Sequence, residues 1–522
     1  MLLAPLFLGA LSDAGYLVVV AREAEAGYQR AAETLAKAHA APLERWSGDW
    51  RELEALLETR KPTDLALVLA PQAIDANLPR RLIPLLTRFD SDPFSDCAFG
   101  VITGADGKDA QRFVDNILRA AKKPRPARTF SATSVVVDTC LRIGPTQQTR
   151  GVARKLVHDE LWITGKDPKW REFVERERDL AEERGLIEWG HCGDSQGIWL
   201  FSMYRNRDKD KHWPFDPARV GRDAAGEMPR LTALDLVDGV NLFPAVVVNG
   251  SCHSGVTYNT MVGGDIVSTF GDTGGVVRFF PITPEQSFPL MAIRHGATGY
   301  IAPLAANNAN RAALEMWWIE VGGVSLGEVT KRTLDELVLG CASHALAFEL
   351  FQDGAPEPAD APMFEDCASR ILFGDPATVV WSDVAPTAHH VKLEKRKDGV
   401  LVVDVRWDPL ASDPWVWDPW RKERLAQEQG RIYERLELPE APSGTPVVSV
   451  VEAFAEHGGE STAVALTAFA LVERDRAGKC VLHLKASGAR MALDPLADPG
   501  HGPSALRAKF EVRFEGPKTG ER

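Results

Sequence analysis

From Tyr16 to about residue 384 the chain alternates short apolar runs with amphipathic stretches. No other feature restricts the possible folds as strongly. Tyr16-Leu-Val-Val-Val-Ala21 reads as a buried strand, and the Ala/Glu/Lys-rich Ala24–Ala38 as a helix. The pattern then predicts a helix over Arg51–Thr59, a strand over Asp64–Ala70, and a helix around Leu82–Phe89. A strand over Cys97–Thr103 and a helix over Asp109–Ala121 follow. Strands separated by helices can pair in parallel, because each helix supplies the crossover. The expected result is an open sheet with helices on both faces.

The basic, Pro-rich Lys122–Arg128 marks a first boundary. Beyond it, strands are predicted over Ser134–Val137, Gly185–Trp189, Ile198–Met203, Phe243–Asn249, Val276–Phe280 and Thr298–Ala302. Helices are expected over Pro168–Arg184, Pro284–His295, Asn307–Val321 and Leu326–Leu339, with Arg205–Lys211 a solvated loop. After residue 384 helical periodicity fades. Alternation takes over in Val391–Lys395, Val400–Val405, Val447–Val451, Ala463–Glu473, Cys480–Leu484 and Leu506–Phe514. Short strands with turn-rich connections predict a β-sandwich. The domain reading is therefore 15–128, 129–384 and 385–522. Trp407, Trp415, Trp417 and Trp420 crowd around Asp-Pro pairs in the last segment. They read as cover for a domain junction, with a binding platform as the alternative.

Composition removes several classes. The 522 residues carry 60 Lys+Arg against 73 Asp+Glu, a net charge of −13, with no long basic block. That argues against a nucleic-acid partner bound through phosphates. No apolar run approaches the ~20 residues of a membrane-spanning helix. The seven cysteines include no Cys-x-x-Cys pair and make no disulfide scaffold. The segment Met1–Ala14 is apolar, and Ser12 and Ala14 suit a signal-peptidase cut, but no positive residue precedes it. It reads either as an incomplete secretory signal, leaning to a secreted or periplasmic location, or as the lead-in to the first strand.

The chemistry concentrates in two segments. In Ala245-Val-Val-Val-Asn-Gly-Ser-Cys252-His-Ser-Gly255, an apolar strand delivers a cysteine to the carboxyl edge of the sheet. Open α/β sheets bind their ligands at that edge. In Gly185-Leu-Ile-Glu-Trp-Gly-His191-Cys-Gly193, a second strand ends in a glycine-flanked histidine. Two neighbouring strands ending this way would bring imidazole and thiol together, the pairing that nucleophilic catalysis requires. The glycines leave room and free amide N–H groups for an oxyanion.

The order strand–His then strand–Cys resembles caspase-like cysteine peptidases. Within that clan the chain is most similar to the gingipain family. Gly190-His191 with Gly193–Trp199 resembles its histidine segment, and Asn249–Gly255 its nucleophile segment. Asp92–Gly104, Gly299–Leu304, Ser325–Glu328 and Ile371–Ala377 add supporting stretches across residues 16–384. The resemblance implies a caspase-like open sheet in two α/β subdomains, followed by an immunoglobulin-like sandwich. It implies a cysteine endopeptidase acting on protein or peptide substrates, with His191 as general base and acid and Cys252 as nucleophile. The oxyanion hole would use backbone N–H groups of Cys252, Cys192 and Gly193. Calcium is implied as structural support, with no cofactor needed for the chemistry. One departure concerns Cys192, which stands where the family carries glycine; it would crowd the hole or form a redox-sensitive pair with Cys252. The family's selector for basic side chains has no identifiable counterpart. A transpeptidase on the same scaffold and a catalytically silent binding protein are the alternatives.

Other motifs compete less well. Gly193-Asp-Ser195-Gln-Gly197 fits a nucleophile elbow only if it joins a strand to a helix. His191, Cys192, Cys252 and His253 are too closely adjacent for the usual zinc spacings. Asp272-Thr-Gly lacks the second copy that an aspartic dyad needs, and His295, His457 and His501, each followed by glycine, lie outside the required order. Cys97, Cys140, Cys341, Cys367 and Cys480 read as small buried hydrophobes.

Overall fold

The computed structural model describes residues 15–90, 92–123, 130–134, 139–143, 185–189, 193–194, 197–199, 230–231, 233, 241–251, 253–262, 278–304, 312, 315–316, 318–319, 322–339, 369–383, 389–407, 431–457, 460–474, 479–488 and 505–516. The segment Met1–Ala14, the helix expected over Pro168–Arg184, the Arg205–Lys211 loop, Asp272, and Trp415, Trp417 and Trp420 lie outside the described residues.

The first block forms where the apolar periods place it. Strand β1 (Tyr16–Ala21) leads into helix α1 (Ala26–Ala38), and β2 (Leu43–Trp46) into α2 (Trp50–Arg60). Next come β3 (Asp64–Val68), α3 (Asn77–Leu86), β4 (Ala98–Ile102) and α4 (Gly107–Ala121). Helix α4 starts two residues earlier than its apolar stripe suggests. Asp106 caps it, its carboxylate accepting from the Lys108 and Asp109 amides. Helix α3 starts five residues early, extending the stripe of Leu78, Leu82, Ile83 and Leu86. Strand β2 was not anticipated. It is an edge strand of mixed polarity, Leu-Glu-Arg-Trp, and gives no apolar signal.

The second block holds β5 (Phe130–Ser134), β6 (Thr139–Ile143), β7 (Leu186–Trp189), β8 (Gly193–Asp194), β9 (Gly197–Trp199) and β10 (Arg230–Leu231). It continues with β11 (Val246–Asn249), β12 (Asn259–Val262), β13 (Arg278–Pro281), helix α5 (Phe288–Arg294), β14 (Gly299–Pro303), helix α6 (Leu326–Val338) and β15 (Arg370–Phe373). Among the described residues, ten strands share one sheet in the order β2-β1-β3-β4-β15-β14-β11-β7-β5-β6. The pairs within β2-β1-β3-β4 are parallel, as are those within β14-β11-β7-β5. Strand β15 joins the two runs, antiparallel to β14 and meeting β4 at Phe373 and Val101. The sheet is thus mixed, not uniformly parallel.

The last segment is antiparallel throughout. It contains β16 (His389–Lys395), β17 (Leu401–Trp407), β18 (Arg431–Glu437) and β19 (Thr445–His457). Then come β20 (Glu460–Ala463), β21 (Leu466–Arg474), β22 (Cys480–Gly488) and β23 (Ala505–Glu515). One sheet runs β16-β17-β23-β19-β20 and the other β18-β22-β21, with β19 lying against β21. The expected single strand over Ala463–Glu473 is two strands, divided between the sheets. The Val464 amide turns back to the Ala453 carbonyl at the break.

A buried polar junction ties these antiparallel sheets to the α/β body. Lys331 on α6 donates to Asp335 at 2.7 Å and to Glu473 on β21 at 3.1 Å. Glu473 also accepts from Arg435 and from His483 Nε2, while Tyr433 meets His483 Nδ1 at 2.9 Å. Phe94 stacks on the His483 ring at 3.8 Å, and the Ser95 amide donates to Asp335. Burial pushes His483 down to about 3, so it stays neutral and donates to an ionised Glu473. Burial works to raise the Glu473 carboxyl, but Lys331, His483 and Arg435 together hold it well below the usual carboxylate range.

The same junction approaches the turn Asp90–Asp96. Asp92 accepts from the Phe94 and Arg474 amides, and Asp96 from the Phe89 amide. Burial first, then the neighbouring Asp90, pushes Asp96 up to about 8. A carboxyl raised this way stabilises the fold fully below its unfolded value near 3.8, and that contribution fades as pH rises through 8. Asp96→Asn keeps an acceptor for the Phe89 amide and a donor for Asp90. Urea unfolding should therefore find this variant more stable than the native protein at pH 9, the gap shrinking by pH 5. An equal gap at both pH values would refute this assignment.

Candidate active site

The apolar run Val246–Val248 is fully buried, and it places β11 between β7 and β14. Its last residue, Asn249, lies opposite Trp189, the last residue of β7, in a parallel pair. Strands β7 and β11 therefore end at adjacent positions on one edge, just before positions 190 and 250 in sequence. His191, Cys192 and Cys252 lie outside the described residues. Gly193 opens β8, which pairs antiparallel with β9 through Gly193–Ile198 and Asp194–Gly197. Ser195 also lies outside the described residues; the described elements next to it in sequence are both strands, β8 and β9. A strand-to-helix elbow needs a different setting.

The turn around position 252 is fixed by hydrogen bonds on each side. The Asn249 carboxamide accepts from the Ser251 amide at 2.9 Å and donates to the Tyr300 hydroxyl at 2.9 Å. That hydroxyl in turn donates to the Ser254 carbonyl at 2.9 Å, and Ser254 Oγ donates to the Ser251 carbonyl at 2.6 Å. Tyr300 is completely buried, and burial holds its hydroxyl well above the usual phenol range, so it remains a neutral donor. His253 is buried with φ of 58°, the left-handed region that non-glycine residues rarely occupy. Such a conformation costs about 1–3 kcal/mol and persists where the surroundings over-determine it.

Gly255 shows why a glycine closes the motif. Its amide donates to the Pro303 carbonyl at 2.8 Å, and an added Cβ would stand 2.9 Å from that same oxygen. Thr257 reaches further, donating to the Pro71 carbonyl at 2.8 Å with the Ile74 carbonyl at 3.3 Å. The turn leaving β3 thus braces the segment leaving β11. Arg370 Nη2 donates to the Asn249 carbonyl at 3.0 Å while the guanidinium pairs with Glu315 at 2.7 and 2.5 Å.

Asn249, Tyr300, Glu315 and Arg370 were not singled out from the sequence. Asn249 lies within the motif, and a buried amide ending an apolar strand signals a turn held by its side chain. Arg370 directly precedes the apolar Ile371-Leu-Phe373, and a charge at the start of a buried strand is a comparable signal. Cys97 and Cys480 are buried and outside any disulfide, as expected; the backbone of Cys140 lies in β6, and Cys341 and Cys367 lie outside the described residues.

Among the described residues, no three His, Cys, Asp or Glu side chains converge as a metal site requires. Asp90, Asp92 and Asp96 instead direct carboxylate oxygens at backbone amides. The structure assigns no described residues to the calcium that the resemblance implies. Among the described residues, no helix is long and apolar enough to cross a membrane.

No protein-family model and no curated protein matches the chain. Two solved structures align with most of it. One, described as the structure of a protease, is 9% identical, covers 91% of this chain and 92% of its own, and has a TM-score of 0.40. The other, a complex of the Porphyromonas gingivalis RgpB pro- and mature domains, is 11% identical, covers 91% of this chain and 97% of its own, and has a TM-score of 0.36.

Proposed function

We propose that the chain is a gingipain-like cysteine endopeptidase on a caspase-like sheet, with an immunoglobulin-like sandwich at its carboxyl end. Its divisions would fall at 15–128, 129–384 and 385–522. The observation that supports this reading is the Trp189–Asn249 pair, which ends two adjacent parallel strands just before the histidine and cysteine segments in sequence. In the proposed reaction, His191 takes the thiol proton of Cys252 and the thiolate attacks a peptide carbonyl carbon. Backbone N–H groups of Cys252, Cys192 and Gly193 receive the oxyanion. His191 then protonates the departing amine, and water resolves the thioester.

The test is incubation with a diverse peptide mixture beside the Cys252→Ala variant, with and without an added amine. New peptide termini made by the native protein and missing with the variant support hydrolysis. Amine-joined products would move the assignment to transpeptidation. If neither forms and an iodoacetamide-type probe leaves Cys252 unlabelled, the enzyme reading fails.

A further inference from the structure

We infer that Arg370 is a positioning residue for the candidate nucleophile, acting through the backbone of Asn249. It takes Cys252 as the nucleophile, as proposed above. Arg370 opens β15 directly opposite Pro303, whose carbonyl holds the Gly255 amide. Next to it, the Leu304 amide donates to the Ser369 carbonyl. The start of β15 therefore reaches both ends of the turn that contains position 252. Through Arg370 Nη2 it fixes the carbonyl three residues before the cysteine, and through Pro303 it fixes the amide three residues after.

The chemistry of the pair supports a geometric role. Arg370 and Glu315 are both buried, and each would have to shed its hydration to sit there. Replacing a buried ion pair by apolar residues of similar volume often costs no stability, which leaves room for a geometric role. Glu315 grips Nε and Nη2 together, which locks the plane of the guanidinium. The remaining Nη2 hydrogen then has one direction, and the Asn249 carbonyl lies along it. Among the described residues Nη1 has no acceptor, so the fixed contacts of the guanidinium are those of Nε and Nη2. Lysine could carry the charge but not the fork: a single ammonium cannot present the same fixed plane to Glu315 and to the carbonyl.

Arg370→Lys is the test, with Arg370→Met as the variant expected to fold less well. Three quantities would be measured: peptide turnover, the rate at which iodoacetamide labels Cys252, and amide hydrogen exchange of Ser251, Ser254 and Gly255. For Arg370→Lys we expect kcat to fall at least tenfold with KM within twofold, and labelling to slow in step. Exchange should quicken at those three amides while helix α1 stays unchanged. A native kcat, or a rise in KM alone, would overturn the inference. So would faster exchange spread equally over α1, which marks a general loss of stability. If the native protein neither cleaves peptides nor labels at Cys252, the peptidase reading falls, and local exchange still decides whether Arg370 holds the turn.

Discussion

Lys331→Ala is expected to cost about 3–5 kcal/mol, because it leaves buried acids without their cation. Lys331 is nine-tenths buried and lies 2.7 Å from Asp335 and 3.1 Å from Glu473. Burial already pushes Asp335 above the usual carboxylate range, with Lys331 opposing that rise. Without Lys331, Asp335 must take up a proton, and Glu473 must rely on Arg435 and His483. Arg22→Ala is the control, since Arg22 meets Glu52 at the same 2.7 Å but is half exposed. An exposed pair contributes under about 1 kcal/mol, so this second variant should unfold almost as the native protein does. Comparable losses in both variants, read by urea denaturation, would mean that distance rather than burial sets the energy. Lys331→Ala should also loosen the antiparallel sheets from the α/β body, visible as faster amide exchange in β21 and β22.

Gly100→Ala should cost about 3 kcal/mol, the upper part of the overpacking range. A Cβ at Gly100 would stand 2.3 Å from the Gly374 carbonyl oxygen, with Leu372 and Pro376 carbon atoms at 3.2 Å. The clash is with backbone, so no side-chain rotation relieves it. The only relief is to part β4 from β15 at the point where the Gly374 amide donates to the Val101 carbonyl. Gly516→Ala, with nothing within 4 Å of its Cβ, should be nearly neutral. Because β15 also begins with Arg370, Gly100→Ala should slow labelling of Cys252 even in molecules that remain folded. Native-like stability in Gly100→Ala would show that the two runs of strands are not so closely joined.

The elements with strong apolar periods could be read from the residues. Strand β1 occupies Tyr16–Ala21 as its five buried residues require, and β11 ends at Asn249 where the motif turns polar. Strands whose residues answer to a neighbour rather than to a period could not. Among the described strands β2 pairs with β1 alone, and β18 runs Ile-Tyr-Glu-Arg-Leu-Glu, with Tyr433 and Arg435 serving the charged junction. The candidate site divides in the same way. His191 and Cys252 stand out because glycines follow apolar runs and expose chemistry at strand ends. Their supports do not, since Asn249, Tyr300 and Arg370 meet across 51 and 121 residues of sequence. A lone buried arginine in a sequence carries no sign of which carbonyl it will hold.

Strand β15 has a further consequence, for how the chain is made. The four strands β2-β1-β3-β4 are contiguous in sequence and can assemble soon after they emerge from the ribosome. Their β4 edge then waits for a partner about 270 residues further along, roughly 15–50 s at ordinary rates of synthesis. Every residue of β4 is buried in the finished sheet, so the nascent chain carries an apolar edge with unpaired backbone groups throughout that interval. Production of this protein is therefore most vulnerable to sticking between chains before residue 370 is reached, an interval in which the histidine and cysteine segments have already been made.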